Sequence, residues 1–122
     1  MYLGRNLLAQ YRPQEALTEF EQEPSPSWRR YGLALSYHAM GRKKEADAAL
    51  TEFIAEYQTE SAYQVAAIYA FRGEPDRAFE WLERAYAQRD SGFTEMKGDF
   101  FLKSLERDPR YIPFLKKVRL PV

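Results

Sequence analysis

Three segments of the chain carry the same spaced pattern of small and apolar residues. In each segment a small residue precedes an alanine by twelve positions, and a bulky apolar residue follows that alanine by four. The three sets are Gly4, Ala16 and Phe20; Ala34, Ala46 and Leu50; and Ala66, Ala78 and Leu82. Apolar residues at this spacing lie on one face of a helix, and small residues let two helices cross closely. The repetition therefore predicts an all-α fold built from helical pairs.

Helix-breaking residues repeat along with this pattern. Pro13 and Pro75 each stand three residues before the repeated alanine, where proline suits the first turn of a helix. Gly41 and Gly73 are suited to end helices, because glycine tolerates the left-handed conformation there. The predicted helices span about 1–10, 13–22, 27–40, 43–57, 61–72 and 75–88, and Ser25 or Ser27 is expected to cap the third. After a turn at 89–92 the template is lost, and we predict a short helical turn at 93–96 and helices at 100–105 and 111–118.

Composition narrows the class of protein. The 122 residues suit one domain, and 45% apolar with 30% charged residues is typical of a soluble globular chain. The chain has no cysteine, so disulfides and zinc–thiolate sites are excluded. Zero formal net charge argues against a protein built to coat nucleic acid, and no apolar run is long enough to span a membrane. No signal-peptide pattern begins the chain, so we expect a cytoplasmic protein.

The repeated template resembles the tetratricopeptide repeat, whose pattern is W-x2-L-G-x2-Y, then A-x3-F, then often P. The resemblance implies an alpha-alpha superhelix of three helical hairpins, at about 1–24, 27–58 and 60–90, with C-terminal capping helices at about 93–118, all in one domain of residues 1–122. The chain departs from the pattern in three ways. Arg30 and Ala62 stand where tryptophan is expected, the glycine of the L-G pair survives only as Gly4, and the periods are 30 and 32 residues instead of about 34.

The last repeat and the end of the chain sharpen this resemblance. Residues 73–90 are similar to repeats at the C-terminal ends of bacterial multidomain signalling proteins, where the repeats follow a catalytic or DNA-binding domain. Residues 105–111, with Phe114, Leu115, Leu120 and Pro121, are similar to the terminal cap of those repeats. The resemblance implies a bacterial protein-interaction scaffold that needs no cofactor and binds a protein or peptide partner.

In a stack of such repeats the first helix of each hairpin lines a concave groove. By helical phase, the resemblance places nine residues there: Arg5, Leu8, Trp28, Tyr31, Leu35, His38, Tyr63, Ala67 and Phe71. The set is aromatic and apolar with few charges, which suits hot-spot contacts with a peptide or helix. One alternative stays open: the C-terminal segment folds back, and the aromatic side chains are ordinary core. A clamp for a C-terminal carboxylate is not expected, because only Arg5, with Asn6 nearby, could supply it.

No catalytic or metal-binding pattern is present in the sequence. His38 is the only histidine, no metal-ligand spacing surrounds it, and no glycine-rich phosphate loop or serine nucleophile elbow occurs. From residue 97 onward seven basic residues face three acidic ones, a modest excess without the stacking platform that nucleic-acid binding needs. We therefore predict that the protein is not an enzyme. The alternative function is homo-oligomerisation, in which Leu3, Leu7 and Leu8 pair with a second copy as a homodimer.

Overall fold

The computed structural model describes residues 2–90, 93, 96 and 98–118. These residues form seven α-helices and a 3-10 helix, and no β-strand occurs among them. The predicted all-α class is thus confirmed for the described part of the chain. The α-helices are α1 (Tyr2–Ala9), α2 (Pro13–Glu21), α3 (Pro26–Ala39), α4 (Lys43–Tyr57), α5 (Ala62–Phe71), α6 (Pro75–Ala87) and α7 (Tyr111–Lys117), and the 3-10 helix is Phe100–Leu105.

The predicted helix bounds agree with the observed ones to within one residue. Ser25 does stand at the N-cap position of α3, but the expected capping hydrogen bond is absent, and its hydroxyl lies 3.2 Å from that of Ser27 instead. The prediction of a side-chain cap was therefore wrong, although its position was right. Residues 91, 92, 94 and 95, on which the predicted turn and the short helical turn partly fall, lie outside the described residues.

The chain divides into two compact units, Met1–Tyr57 and Gln58–Val122. In the first unit α1 contacts α2, α2 contacts α3, and α3 contacts α4, with a smaller contact between α1 and α3. In the second unit α5 contacts both α6 and the 3-10 helix. None of the described helices is both long and apolar enough to cross a membrane.

The turns within the three helical pairs share one backbone geometry. Tyr11, Gly41 and Gly73 each stand two residues beyond the first helix of a pair, with φ angles of 60°, 73° and 76°. The next amide in each turn donates to the carbonyl five residues earlier, as in Arg42 N to Tyr37 O at 3.0 Å. The matching bonds are Arg12 N to Leu7 O at 2.9 Å and Glu74 N to Tyr69 O at 2.9 Å. This pattern is the Schellman motif, which satisfies the last carbonyl groups of a helix.

The ring of Phe20 fills space that two glycines leave open in the first unit. It is buried, and a Cβ atom placed on Gly4 or Gly32 would lie 2.7 Å or 1.9 Å from its ring atoms. Since Gly4 lies in the first turn of α1 and Phe20 near the end of α2, the two helices run back along each other. All six small residues of the repeated pattern are buried: Gly4, Ala16, Ala34, Ala46, Ala66 and Ala78.

Leu3 does not share the buried face of α1. Its side chain is 55% exposed, whereas Leu7 and Leu8 are buried. The buried stripe of α1 runs through Gly4, Leu7 and Leu8, a spacing of three and four residues, and Leu3 lies at its edge. Of the three leucines expected to pair with a second copy, only Leu3 is therefore exposed, because Leu7 and Leu8 pack within the unit itself.

The second unit is organised around α5. Seven of the ten residues of this helix are buried, and they are spread around its circumference: Ala62, Tyr63, Val65, Ala66, Ala67, Ile68 and Ala70. A helix that is apolar all round must be covered on several sides. Helix α6 supplies one cover through Ala78, Leu82 and Ala85, all fully buried, and the 3-10 helix supplies another.

Candidate partner-binding surfaces

The nine residues predicted to line a groove divide by exposure into two groups. Five of them are buried: Leu8, Tyr31, Leu35, Tyr63 and Ala67. Four are half-buried: Arg5, Trp28 and His38 in the first unit and Phe71 in the second. Only the second group retains surface that a partner protein could touch without displacing other side chains.

In the first unit the predicted groove residues of α3 join an aromatic row that continues into α4. The ring centroid of Tyr31 lies 5.6 Å from that of Trp28 and 6.0 Å from that of Phe53, and Phe53 lies 5.1 Å from Tyr57. These separations are typical of stabilising aromatic pairs. Tyr31 is therefore part of the core between α3 and α4, while Trp28 keeps part of its surface accessible at the start of α3.

In the second unit the chain's own C-terminal segment covers the predicted groove residues of α5. The ring of Phe93 meets that of Tyr63 edge-on at 5.7 Å, and the ring of Phe101 meets that of Phe71 at 5.2 Å. The Ser104 hydroxyl adds a hydrogen bond to the carbonyl of Ala70 at 2.9 Å. The alternative, in which the C-terminal segment folds back, therefore holds for α5. The positions on α5 that were predicted to contact a partner are in contact with this segment instead.

A buried carboxylate holds this segment in place. Asp99 is 6% exposed, and its Oδ2 accepts a hydrogen bond from the Tyr63 hydroxyl at 2.8 Å. Its Oδ1 accepts from the backbone amide of Phe101 at 3.0 Å, which caps the 3-10 helix. Asp90 accepts from the backbone amide of Tyr63 at 3.0 Å. Sequence reasoning missed Asp99, although an aspartate directly before a helical segment is a recognisable cap signal.

A surface pocket of about 460 Å³ lies between α6 and α7. Phe79 of α6 and Phe114 of α7 are among its lining residues, with ring centroids 6.4 Å apart, and Pro109 and Pro113 line it as well. The sequence pattern did not predict this pocket, because no local sequence motif indicates that Phe79 and Phe114, which are 35 positions apart, come into contact.

Charged side chains on α6 and α7 surround this pocket. Arg110 pairs with Asp76 at 3.0 Å and with Asp108 at 2.8 Å, and its guanidinium lies 4.6 Å from the centroid of the Phe79 ring. Lys117 pairs with Glu83. Hydrogen bonds from the side chain and the backbone of Arg110 lower the pKa of Asp108 to about 2, so this carboxylate stays ionised through the acidic range.

Comparison with known proteins assigns no family. No protein-family model, no curated protein and no solved structure matches the chain. Within the described residues, no group of three or more histidine, cysteine, aspartate or glutamate side chains is arranged to hold a metal ion.

Proposed function

We propose that the chain is a non-enzymatic protein-interaction module that binds a peptide or helix of a partner protein along α1 and α3, the first helices of its first two hairpins. The accompanying fold proposal is a superhelix of three tetratricopeptide-like hairpins closed by C-terminal capping helices. The common turn geometry at Tyr11, Gly41 and Gly73 supports it, because three turns of one kind are expected of three repeats of one unit. The resemblance to bacterial signalling proteins extends the proposal to a cytoplasmic bacterial setting.

The main support for the proposal is that the chain's own C-terminal segment packs on the face of α5 where a partner was predicted to bind. Phe101 and Phe93 contact the predicted partner positions Phe71 and Tyr63 through their rings, and Asp99 bonds to the Tyr63 hydroxyl. Aromatic anchors combined with a few placed polar contacts are the way such surfaces bind peptides. Packing of a short aromatic segment of the chain on this helix face supports an aromatic peptide as the ligand of the equivalent face elsewhere.

The corresponding surface of the first unit is where a partner would bind. Trp28 and His38 lie ten residues apart on α3, which corresponds to about 15 Å along the helix, and both are half-buried. Arg5 on α1 is also half-buried, and α1 contacts α3. A partially exposed tryptophan on α3, together with an arginine on the contacting helix α1, is a favourable composition for an interaction hot spot.

Selection of peptides from a phage-displayed library against the whole chain tests this function. Enriched sequences are synthesised and titrated against the native protein, against Trp28→Ala and against His38→Ala. We expect Trp28→Ala to weaken binding roughly thirtyfold, as for a hot-spot residue that contributes about 2 kcal/mol. The buried residues Tyr31 and Tyr63 are unsuitable for this test, because their truncation would damage the core.

The matched control is Tyr11→Ala, which removes an aromatic side chain that is 85% exposed in a turn of the same unit. It should leave peptide affinity unchanged. Circular dichroism on each variant separates lost binding from lost folding. The proposal is rejected if no peptide is enriched, or if the enriched peptides bind the Trp28→Ala and His38→Ala variants as well as the native chain.

Self-association is the second candidate function, and the exposed side chain of Leu3 favours it. An exposed leucine in the first helix offers an apolar contact for a second copy of the chain. Sedimentation equilibrium at high protein concentration should then show a dimer that Leu3→Glu converts to monomer. A native chain that stays monomeric at every concentration removes this function.

A further inference from the structure

The pocket between α6 and α7 is separate from the predicted groove, because none of its lining residues belongs to the nine groove positions. Its volume of about 460 Å³ lies within the range of pockets that hold small ligands or single large side chains. Every residue that lines it belongs to the second unit, so its shape is set within that unit alone.

The floor of the pocket is apolar. Phe79 and Phe114 are both buried, and their rings meet edge-on with centroids 6.4 Å apart. Pro109 and Pro113 add apolar surface that remains exposed. Such a floor favours an aromatic or branched aliphatic side chain over a polar one.

Ion pairs between α6 and α7 limit what can enter. Arg110 bonds to Asp76 in the first turn of α6, and Lys117 pairs with Glu83 seven residues further along. Seven residues of helix correspond to about 10 Å, so the opening between the two pairs admits a side chain and its neighbour. An extended peptide of four or more residues, at about 13 Å, would have to break one of the pairs.

The charge on the pocket wall is not balanced. Asp76 and Glu83 have the cationic partners Arg110 and Lys117, whereas Glu80, which lies between them on α6, has no ion-pair partner among the described residues. Three carboxylates thus face two cations around the pocket. The remaining negative charge stands beside the apolar floor, where it would favour a basic group next to the entering side chain.

We propose that this pocket binds a partner peptide through one bulky apolar side chain that is followed by an arginine or lysine. The apolar side chain packs against the exposed surfaces of Pro109 and Pro113, beside the rings of Phe79 and Phe114, and the basic group pairs with the carboxylate of Glu80. The site goes beyond the groove function and does not depend on it, since the two use different residues. A groove that fails its test would leave this pocket unaffected.

Three dipeptides with blocked termini serve as probes of the complete chain: Phe-Arg, Phe-Glu and Ala-Arg. Titration of the isotopically labelled protein, followed by amide chemical shifts, gives both the affinity and the location of binding. We expect the first peptide to shift the amide signals of Phe79, Glu80 and Phe114. The peptide with glutamate and the peptide without phenylalanine should each bind more weakly.

The decisive variant is Glu80→Gln, which removes the charge of an exposed side chain and keeps its size. It should reduce affinity for the phenylalanine–arginine peptide about two- to fivefold, as expected for a partly exposed ion pair, and abolish the preference over the glutamate peptide. Glu21→Gln, an exposed glutamate of α2, is the matched control and should change nothing. Equal affinity for all three peptides, or shifts confined to other helices, would overturn the proposal.

Discussion

The backbone of Gly32 lies directly against the ring of Phe20, so that a Cβ atom at this position would be only 1.9 Å from the Cδ1 atom of Phe20. We predict that Gly32→Ala lowers the free energy of unfolding by about 1–3 kcal/mol, because the buried ring has no free space to move into. Helix propensity alone would have the opposite effect, since alanine stabilises a helix interior by about 1 kcal/mol relative to glycine. Urea denaturation gives the sign directly.

A double substitution separates the clash from other causes. Phe20→Leu shortens the side chain that Gly32→Ala would meet, so the two substitutions together should cost clearly less than the sum of their separate effects. Gly41→Ala cannot serve as a second test of this clash. A Cβ atom at Gly41 would have no heavy atom within 4 Å, and any loss of stability there would come from the positive φ. An increase in stability for Gly32→Ala alone would mean that the ring is not fixed where the structure has it.

Tyr11 adopts the left-handed conformation that Gly41 and Gly73 adopt in the equivalent turns. This conformation costs a residue with a side chain about 1–2 kcal/mol, and an 85% exposed ring recovers little by packing. We predict that Tyr11→Gly raises the free energy of unfolding by about 0.5–1 kcal/mol, after allowance for the greater freedom of glycine in the unfolded chain. Thermal and urea unfolding measure this gain, and Gly41→Ala should shift stability by a similar amount in the opposite direction. Unchanged or reduced stability of Tyr11→Gly would contradict the prediction.

These turns show how far the sequence determines the fold. Gly41 and Gly73 are readable as helix ends because glycine is the residue that this conformation favours, and Pro75 is readable as a helix start. Helix bounds follow from such local signals together with the apolar spacing, and they were predicted to within one residue. The first turn repeats the same geometry at Tyr11 without glycine, so its equivalence became visible only in the backbone angles.

The candidate sites were less predictable, because they depend on contacts between residues distant in the sequence. Helical phase assigned Tyr63 to a groove, but no local pattern reveals that Asp99, 36 residues later, bonds to its hydroxyl. The same limit applies to the pocket between Phe79 and Phe114. The position of a residue on a helix face predicts whether it is buried. Which residues it contacts depends on how the C-terminal segment packs against α5 and α6.

Asp108 makes the start of α7 sensitive to acid. Its carboxylate accepts hydrogen bonds from the backbone amide of Arg110 at 2.9 Å and from the guanidinium, which lowers its pKa from 3.8 to about 2. A lowered pKa in the folded state contributes stability above the unfolded value, and that stability is lost as the pH falls from about 4 towards 2. Carboxyl NMR titration should show a midpoint near 2 for Asp108. The variant Asp108→Asn should show a weaker dependence of stability on pH in this window, and an Asp108 midpoint near 4 would contradict the assignment.

The hydrogen bond between Tyr63 and Asp99 should hold the 3-10 helix against α5. We predict that Tyr63→Phe lowers the free energy of unfolding by about 1–3 kcal/mol, because a buried carboxylate loses a donor that water cannot replace. Hydrogen exchange should rise most in residues 99–105, which depend on this bond, and much less in α6. The control is Tyr86→Phe, whose hydroxyl is on an exposed residue and whose loss should change stability by no more than about 0.5 kcal/mol. If both tyrosine variants unfold alike and exchange rises evenly across the second unit, then apolar packing of Phe93 and Phe101, and not the carboxylate, holds the segment.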